Sequence, residues 1–209
     1  MLTFRRAYWS RILPLMKLVV VALVIAVVLF GVWGVSVNNQ LVGLQQVANE
    51  RWAQVQNVYQ RRADLIPNLV ETVKGAATQE RTVLEEVTRA RASASSIQLT
   101  PEALNDPKAM ERFRAAQDQL SGALSRLLVT VERYPEIKTN QNFLTLQSQL
   151  EGTENRIVVE RRRYNEAVRE YNTKLQMFPG SLVARLIGFQ PRAYFEAAPD
   201  ATTAPKVKF

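Results

Sequence analysis

Apolar residues in this chain fall first into one unbroken run and then into several long stripes. Residues 18–37 read LVVVALVIAVVLFGVWGVSV, without a charge. At about 1.5 Å of rise per residue, a helix of that length crosses a hydrocarbon core of roughly 30 Å. Beyond it the spacing becomes threes and fours: Leu41, Leu44, Ala48, Trp52, Val55, Tyr59, Arg62, Ile66, Leu69 and Val73. This is the period of a helix with one buried face, and Arg62 alone breaks its apolar character. Pro67 lacks an amide donor and is expected to kink the helix or open a new one. Gly75, ahead of Ala76-Ala77-Thr78, reads as a left-handed helix C-terminus followed by a Thr N-cap, which places a hairpin turn there.

The helical pattern then recurs three times. A second helix is predicted over residues 78 to about 95, with Val83, Leu84, Val87 and Ala90 inward. Residues 93–107 read as a loop, in which Thr100-Pro101 and Asp106-Pro107 each pair an N-cap with proline at the first helical position. The third helix sets Met110, Phe113, Leu120, Leu124, Leu127 and Val131 on one face, and Tyr134-Pro135 ends it. Asn140 or its neighbour caps the fourth and longest, whose stripe is Phe143, Leu146, Leu150, Ile157, Tyr164, Ala167, Tyr171, Leu175 and Phe178. Phe178-Pro179-Gly180 stops it, and no strand pattern occurs. The predicted fold is all-α: a single N-terminal transmembrane helix followed by an antiparallel four-helix bundle with long, coiled-coil-like helices. The expected divisions are a basic cytoplasmic stretch (1–17), an anchor (18–37), the bundle (41–178), a short amphipathic segment (181–195) and a flexible tail (197–209).

Charge supplies an orientation. The net charge is +8, and Arg5, Arg6, Arg11 and Lys17 precede the apolar run with no acid among them. The twenty residues after it hold Arg51 as their one basic residue. By the Lys/Arg asymmetry the N-terminus stays cytoplasmic and the domain faces the periplasm or exterior. Tyr8, Trp9 and Trp33 fall where interfacial aromatics belong. Downstream, bases and acids mix along helical faces, so no nucleic-acid partner is expected. Cysteine and histidine are absent. Disulfides, thiol catalysis and thiolate metal sites are excluded, and the commonest metal ligand and general base are missing. With no Gly-rich phosphate loop either, no cofactor is expected.

Longer motifs run through the domain: Arg61-Arg62-Ala63-Asp64-Leu65-Ile66-Pro67-Asn68-Leu69-Val70, Val73-Lys74-Gly75, Asn142-Phe143-Leu144, Gly152-Thr153-Glu154-Asn155-Arg156-Ile157, Tyr164-Asn165, Tyr171-Asn172, Phe178-Pro179-Gly180 and Gly188-Phe189. With the closing Pro-Lys-Val-Lys-Phe, they resemble the LemA family of bacterial membrane proteins. The resemblance covers roughly residues 41–195. It implies a helical-bundle domain on one N-terminal anchor, hence a single-pass protein of the bacterial inner membrane, and it supplies no settled activity. Thr78 stands where many relatives carry histidine, so histidine chemistry there has no place in this chain.

Candidate positions follow from these motifs. Gly152 lies inside the longest helix, where glycine costs about 1 kcal/mol relative to alanine. Close approach of another helix would offset that cost, so Gly152 is expected to be buried, with Arg156 paired to a carboxylate and Glu154 and Asn155 nearby. A carboxylate metal site of Glu71, Glu151 and Glu154 is the sharper alternative, and lacks histidine. Arg61, Arg62 and Asp64 read as a network bracing Pro67, or as an interaction patch. In residues 181–189, Leu182, Val183, Leu186 and Ile187 share a face with Arg185 opposite; the segment caps the bundle, lies on the membrane, or contacts a partner or another subunit. The leading function is a non-enzymatic, self-associating membrane scaffold with an unidentified membrane or envelope protein as partner. A lipid-binding or membrane-remodelling module using 181–189, and a Glu/Arg-based enzyme, are the competing classes.

Overall fold

The computed structural model describes residues 3–75 and 80–195, with side chains from Met16 onward. Among these residues every regular element is helical. The helices are α1 (Thr3–Lys74), α2 (Arg81–Ser96), α3 (Pro107–Val131), the short α4 (Pro135–Lys138), α5 (Gln141–Gln176) and α6 (Gly180–Ile187), with a 3-10 turn at Ala103–Asn105. The expected Thr78 cap and the 197–209 tail lie outside the described residues.

The caps explain several boundaries. Asp106 accepts a hydrogen bond from the Lys108 amide at 2.9 Å, with Pro107 opening α3. Asn140 accepts from the Asn142 and Phe143 amides at 2.9 and 3.3 Å, starting α5. The start of α2 is fixed from outside: Glu80 accepts from Arg133 at 2.9 Å and from the Tyr134 hydroxyl at 3.0 Å. Gly75 follows the last helical residue of α1, but its backbone is not left-handed. A methyl group there would meet Thr72 and Glu71 carbonyls no closer than 3.8 Å. The turn therefore makes no special demand for glycine.

Pro67 neither ends nor divides α1. Its missing amide would have bonded the Ala63 carbonyl, one turn back. Arg91 of α2 donates to that carbonyl instead, Nε to O at 2.7 Å. A tertiary contact satisfies the group the proline leaves free, and so the helix continues.

The chain forms two compact units. Among the described residues, one unit comprises 44–75, 80–173 and 190–195. It holds two apolar clusters. The first gathers Ile66, Leu69 and Val73 of α1, Leu84 and Val87 of α2, Leu120, Leu124 and Leu127 of α3, Ile137, and Phe143 and Leu150 of α5. The second gathers Trp52, Val55 and Tyr59 of α1, Leu99, Leu104, Met110 and Phe113, Ile157 and Tyr164 of α5, and Phe195. The predicted stripes of α1 and α3 are these faces. On α5, Phe178 departs from its stripe: it lies beyond the helix and is 81% exposed.

The other unit comprises Met1–Gly43 and Lys174–Phe189. Among the described residues, one helix is long and apolar enough to cross a membrane, by length and composition, and its apolar stretch is unburied. The described side chains of α1 stay exposed from Met16 through Val32; Trp33 and Gly34 are half-buried, and Val37 and Leu41 are buried. The buried members from the other segment are Leu175, Gly180, Val183 and Ala184. Glycine is needed at both ends of α6. A methyl group on Gly180 would sit 2.2 Å from the Lys174 carbonyl oxygen, and Gly188 has φ +90°. Residues 181–195 are thus divided, α6 to this unit and 190–195 to the larger one.

Candidate functional site

Arg62 occupies a core position of α1, 1% exposed, between Tyr59 of one apolar cluster and Ile66 of the other. Its guanidinium donates to the Ser121 hydroxyl at 2.9 Å and to Glu154 at 2.8 Å. It also donates to the Gln117 side-chain and backbone oxygens and lies 5.0 Å from the Tyr59 ring centroid. Gln117 in turn donates to the Ala94 carbonyl of α2 at 3.4 Å. One polar layer therefore joins α1, α2, α3 and α5 between two apolar clusters. A buried cation is costly unless its donors are met; here Nη1 and Nη2 are met, while Nε has no partner among the described residues. Burial pushes the Tyr59 hydroxyl up to about 12, against Arg161 and Arg62, which pull it down.

The other predicted positions gather less closely. Arg61 is exposed, and exposed Asp64 accepts from Gln60 at 2.7 Å, so neither joins the layer. The brace for Pro67 is Arg91, which the sequence reading did not single out. Glu154 pairs with Arg62 rather than Arg156; Arg156 is exposed and has no carboxylate partner among the described residues. Gly152 is exposed, with nothing within 4 Å of a methyl group placed on it, which reverses the expected burial. The reason is angular: Gly152 lies two residues from Leu150, about 200° around the helix. Thr153 takes the inward place, 1% exposed, its hydroxyl donating to the Gln149 carbonyl at 2.7 Å.

Glu151, Glu154 and Asn155 border an open groove of about 470 Å³ between α3 and α5, and Arg156 does not line it. Glu151 accepts from Gln147 at 3.0 Å and Glu71 from Lys74 at 3.5 Å. The described residues contain no group of three acids placed to hold a metal ion.

A second constellation lies along α5. Tyr164-Asn165 and Tyr171-Asn172 are seven residues apart, two helical turns, and so share a face. They hold residues 190–195 as an extended strap. Asn172 accepts from the Arg192 amide and donates to the Arg192 carbonyl, both at 2.9 Å. Asn165 does the same for Phe195 at 2.7 and 2.8 Å. Tyr164 and Tyr171 donate to the Ala193 and Gln190 carbonyls, each at 3.0 Å. On the other edge the Ala193 amide donates to Leu104 at 2.8 Å. Arg192 is buried; its guanidinium reaches Asn49 at 2.8 Å and the Pro101 carbonyl. Phe195 joins Trp52, Tyr59 and Phe113, with the Arg161 guanidinium 3.9 Å over its ring. Amide side chains that bond both polar groups of one residue read backbone rather than side chain, so the ladder is a main-chain clamp.

The doublets of this clamp and the Arg62 layer fall inside the region matched by the LemA family model, residues 51–209. The chain belongs to the LemA family. No curated protein matches it. The LemA family is not known as one of enzymes. The match begins after the apolar run, so the long apolar helix rests on the chain's own residues 18–37, whereas the helical domain beyond it rests on both.

Proposed function

We propose that this LemA-family protein is a non-enzymatic scaffold anchored in the bacterial inner membrane. Its domain lies on the periplasmic side, is built as an antiparallel four-helix bundle, and assembles with further copies through the outer face of α5. The carrying observation is the surroundings of Gly152. This glycine weakens α5 by about 1 kcal/mol and meets nothing among the described residues to offset that. It lies on an exposed stripe of Leu144, Ser148, Gly152, Asn155 and Val159, which carries no charge. A second helix can approach closely along such a stripe. The buried cations support the scaffold reading, because Arg62 and Arg192 bond groups of their own fold.

The test uses Gly152→Arg in the full-length protein. The position is open, so the fold tolerates the arginine, and thermal unfolding should match the wild type. Light scattering in detergent and crosslinking in native membranes should show an assembly that the variant loses. A wild type that stays monomeric at all concentrations, or an assembly the variant leaves intact, overturns the proposal.

A further inference from the structure

Helix α6 carries more exposed apolar surface than a water-facing helix needs. Met177 and Phe178 precede it, and Leu182, Leu186 and Ile187 lie on it; all five are exposed, Leu186 by 76%. Val183 and Ala184 are buried, which splits the single face expected for Leu182, Val183, Leu186 and Ile187: one side of the helix is packed, and the described residues leave the other apolar side uncovered. The segment belongs to the compact unit that contains the apolar run of α1. In that unit α1 is first half-buried at Trp33 and Gly34, and Val37, in the last turn of the run, is buried. If residues 18–37 cross the bilayer, the chain packed around them there lies at the depth of the membrane boundary. The glycines fix the two ends of α6: Gly180 admits no side chain against the Lys174 carbonyl, and Gly188 ends the helix in a left-handed conformation.

Charge identifies the occupant of the free face. From Tyr171 through Phe195 the sequence has no acid, and its bases are Lys174, Arg185 and Arg192. Arg185 is exposed beside the apolar residues, while Arg192 is buried. An apolar face bordered by cations, continuous with a membrane span, matches the boundary between acyl chains and anionic headgroups.

We propose that α6 lies in the interface of the bilayer that α1 crosses, with Phe178, Leu182, Leu186 and Ile187 among the acyl chains and Arg185 at the headgroups. The inference rests on reading residues 18–37 as the anchor and is independent of self-association. It gives the domain a second attachment to the membrane.

The chain has no cysteine, so single probes can be placed cleanly. Full-length protein carrying Leu186→Cys, Phe178→Cys, Val27→Cys or Val129→Cys is labelled with an environment-sensitive fluorophore. It is then reconstituted in phosphatidylcholine–phosphatidylglycerol vesicles containing nitroxide lipids. Labels at Leu186, Phe178 and Val27 should be quenched severalfold more by the lipid nitroxides than by aqueous iodide. Val129, exposed on the bundle, should show the reverse. Labels at Leu186 and Phe178 open to iodide overturn the inference, and labels shielded from both quenchers overturn it in favour of a protein partner or second copy. A Val27 label untouched by lipid nitroxides shows that the anchor reading itself has failed.

Discussion

At the scale of the residue, Pro67 and Arg91 form one device. Proline leaves the Ala63 carbonyl without its helical donor, and Arg91 supplies a replacement from α2. Removing that donor leaves a half-buried carbonyl unsatisfied, at about 1–3 kcal/mol. Arg91→Ala should therefore lower stability by that amount in denaturant unfolding. In a Pro67→Ala background the helical amide returns, and the same substitution should cost markedly less; additive effects in this double-mutant cycle would refute the coupling. Tyr59 supplies a pH-dependent counterpart. Burial raises its pKa from 10.0 to about 12. A group raised in the fold contributes stability that is complete below its unfolded pKa and is lost as pH rises through the folded value. Wild-type stability should fall between pH 10 and 12, with Tyr59 contributing about 1.4 kcal/mol per pH unit. Tyr59→Phe should flatten that slope, measured by denaturant unfolding across the alkaline range.

At the scale of the element, the sequence spoke most clearly where burial is periodic. The α1 stripe was legible from Leu41 to Val73, even with Arg62 as a member, because spacing reports a face whatever occupies it. The partners of Arg62 were not legible: Gln117, Ser121 and Glu154 come from other helices, whose relative rotation no single stripe contains. The same gap misplaced Gly152, which adjoins the buried stripe in sequence and faces away from it in space. With no internal contact at risk, Gly152→Ala should stabilise the dilute monomer by up to about 1 kcal/mol, read from thermal unfolding. The strap was hidden for another reason. Residues 190–195 have no period, since they are ordered by the α5 doublets rather than by burying one face of their own. Asn172→Ala would leave the buried amide and carbonyl of Arg192 unsatisfied. Hydrogen exchange in residues 190–195 should then accelerate while the centre of α3 stays protected; unchanged exchange would show that Phe195 and Arg192 hold the strap unaided.

At the scale of the whole molecule, the proposed topology rests on charge. Arg5, Arg6, Arg11 and Lys17 lie before the apolar run, while Arg51 stands alone in the twenty residues after it. Basic residues flanking a span are retained on the cytoplasmic side, and those close to its ends weigh most. The asymmetry is large, and no acid precedes the run to dilute it. A phosphatase reporter, which folds actively only outside the cytoplasm, should be active when fused after Phe209, and a fluorescent reporter that matures only in the cytoplasm should be dark there. Replacing Arg5, Arg6, Arg11 and Lys17 with glutamine, and adding lysines at Asn38, Asn39 and Gln40, should move activity from the first reporter to the second. The direction of that exchange separates charge from sheer hydrophobicity, because the apolar run is identical in both proteins. Cytoplasmic reporter activity in the unaltered chain would reverse the proposed topology and place the α5 face on the cytoplasmic side of the membrane.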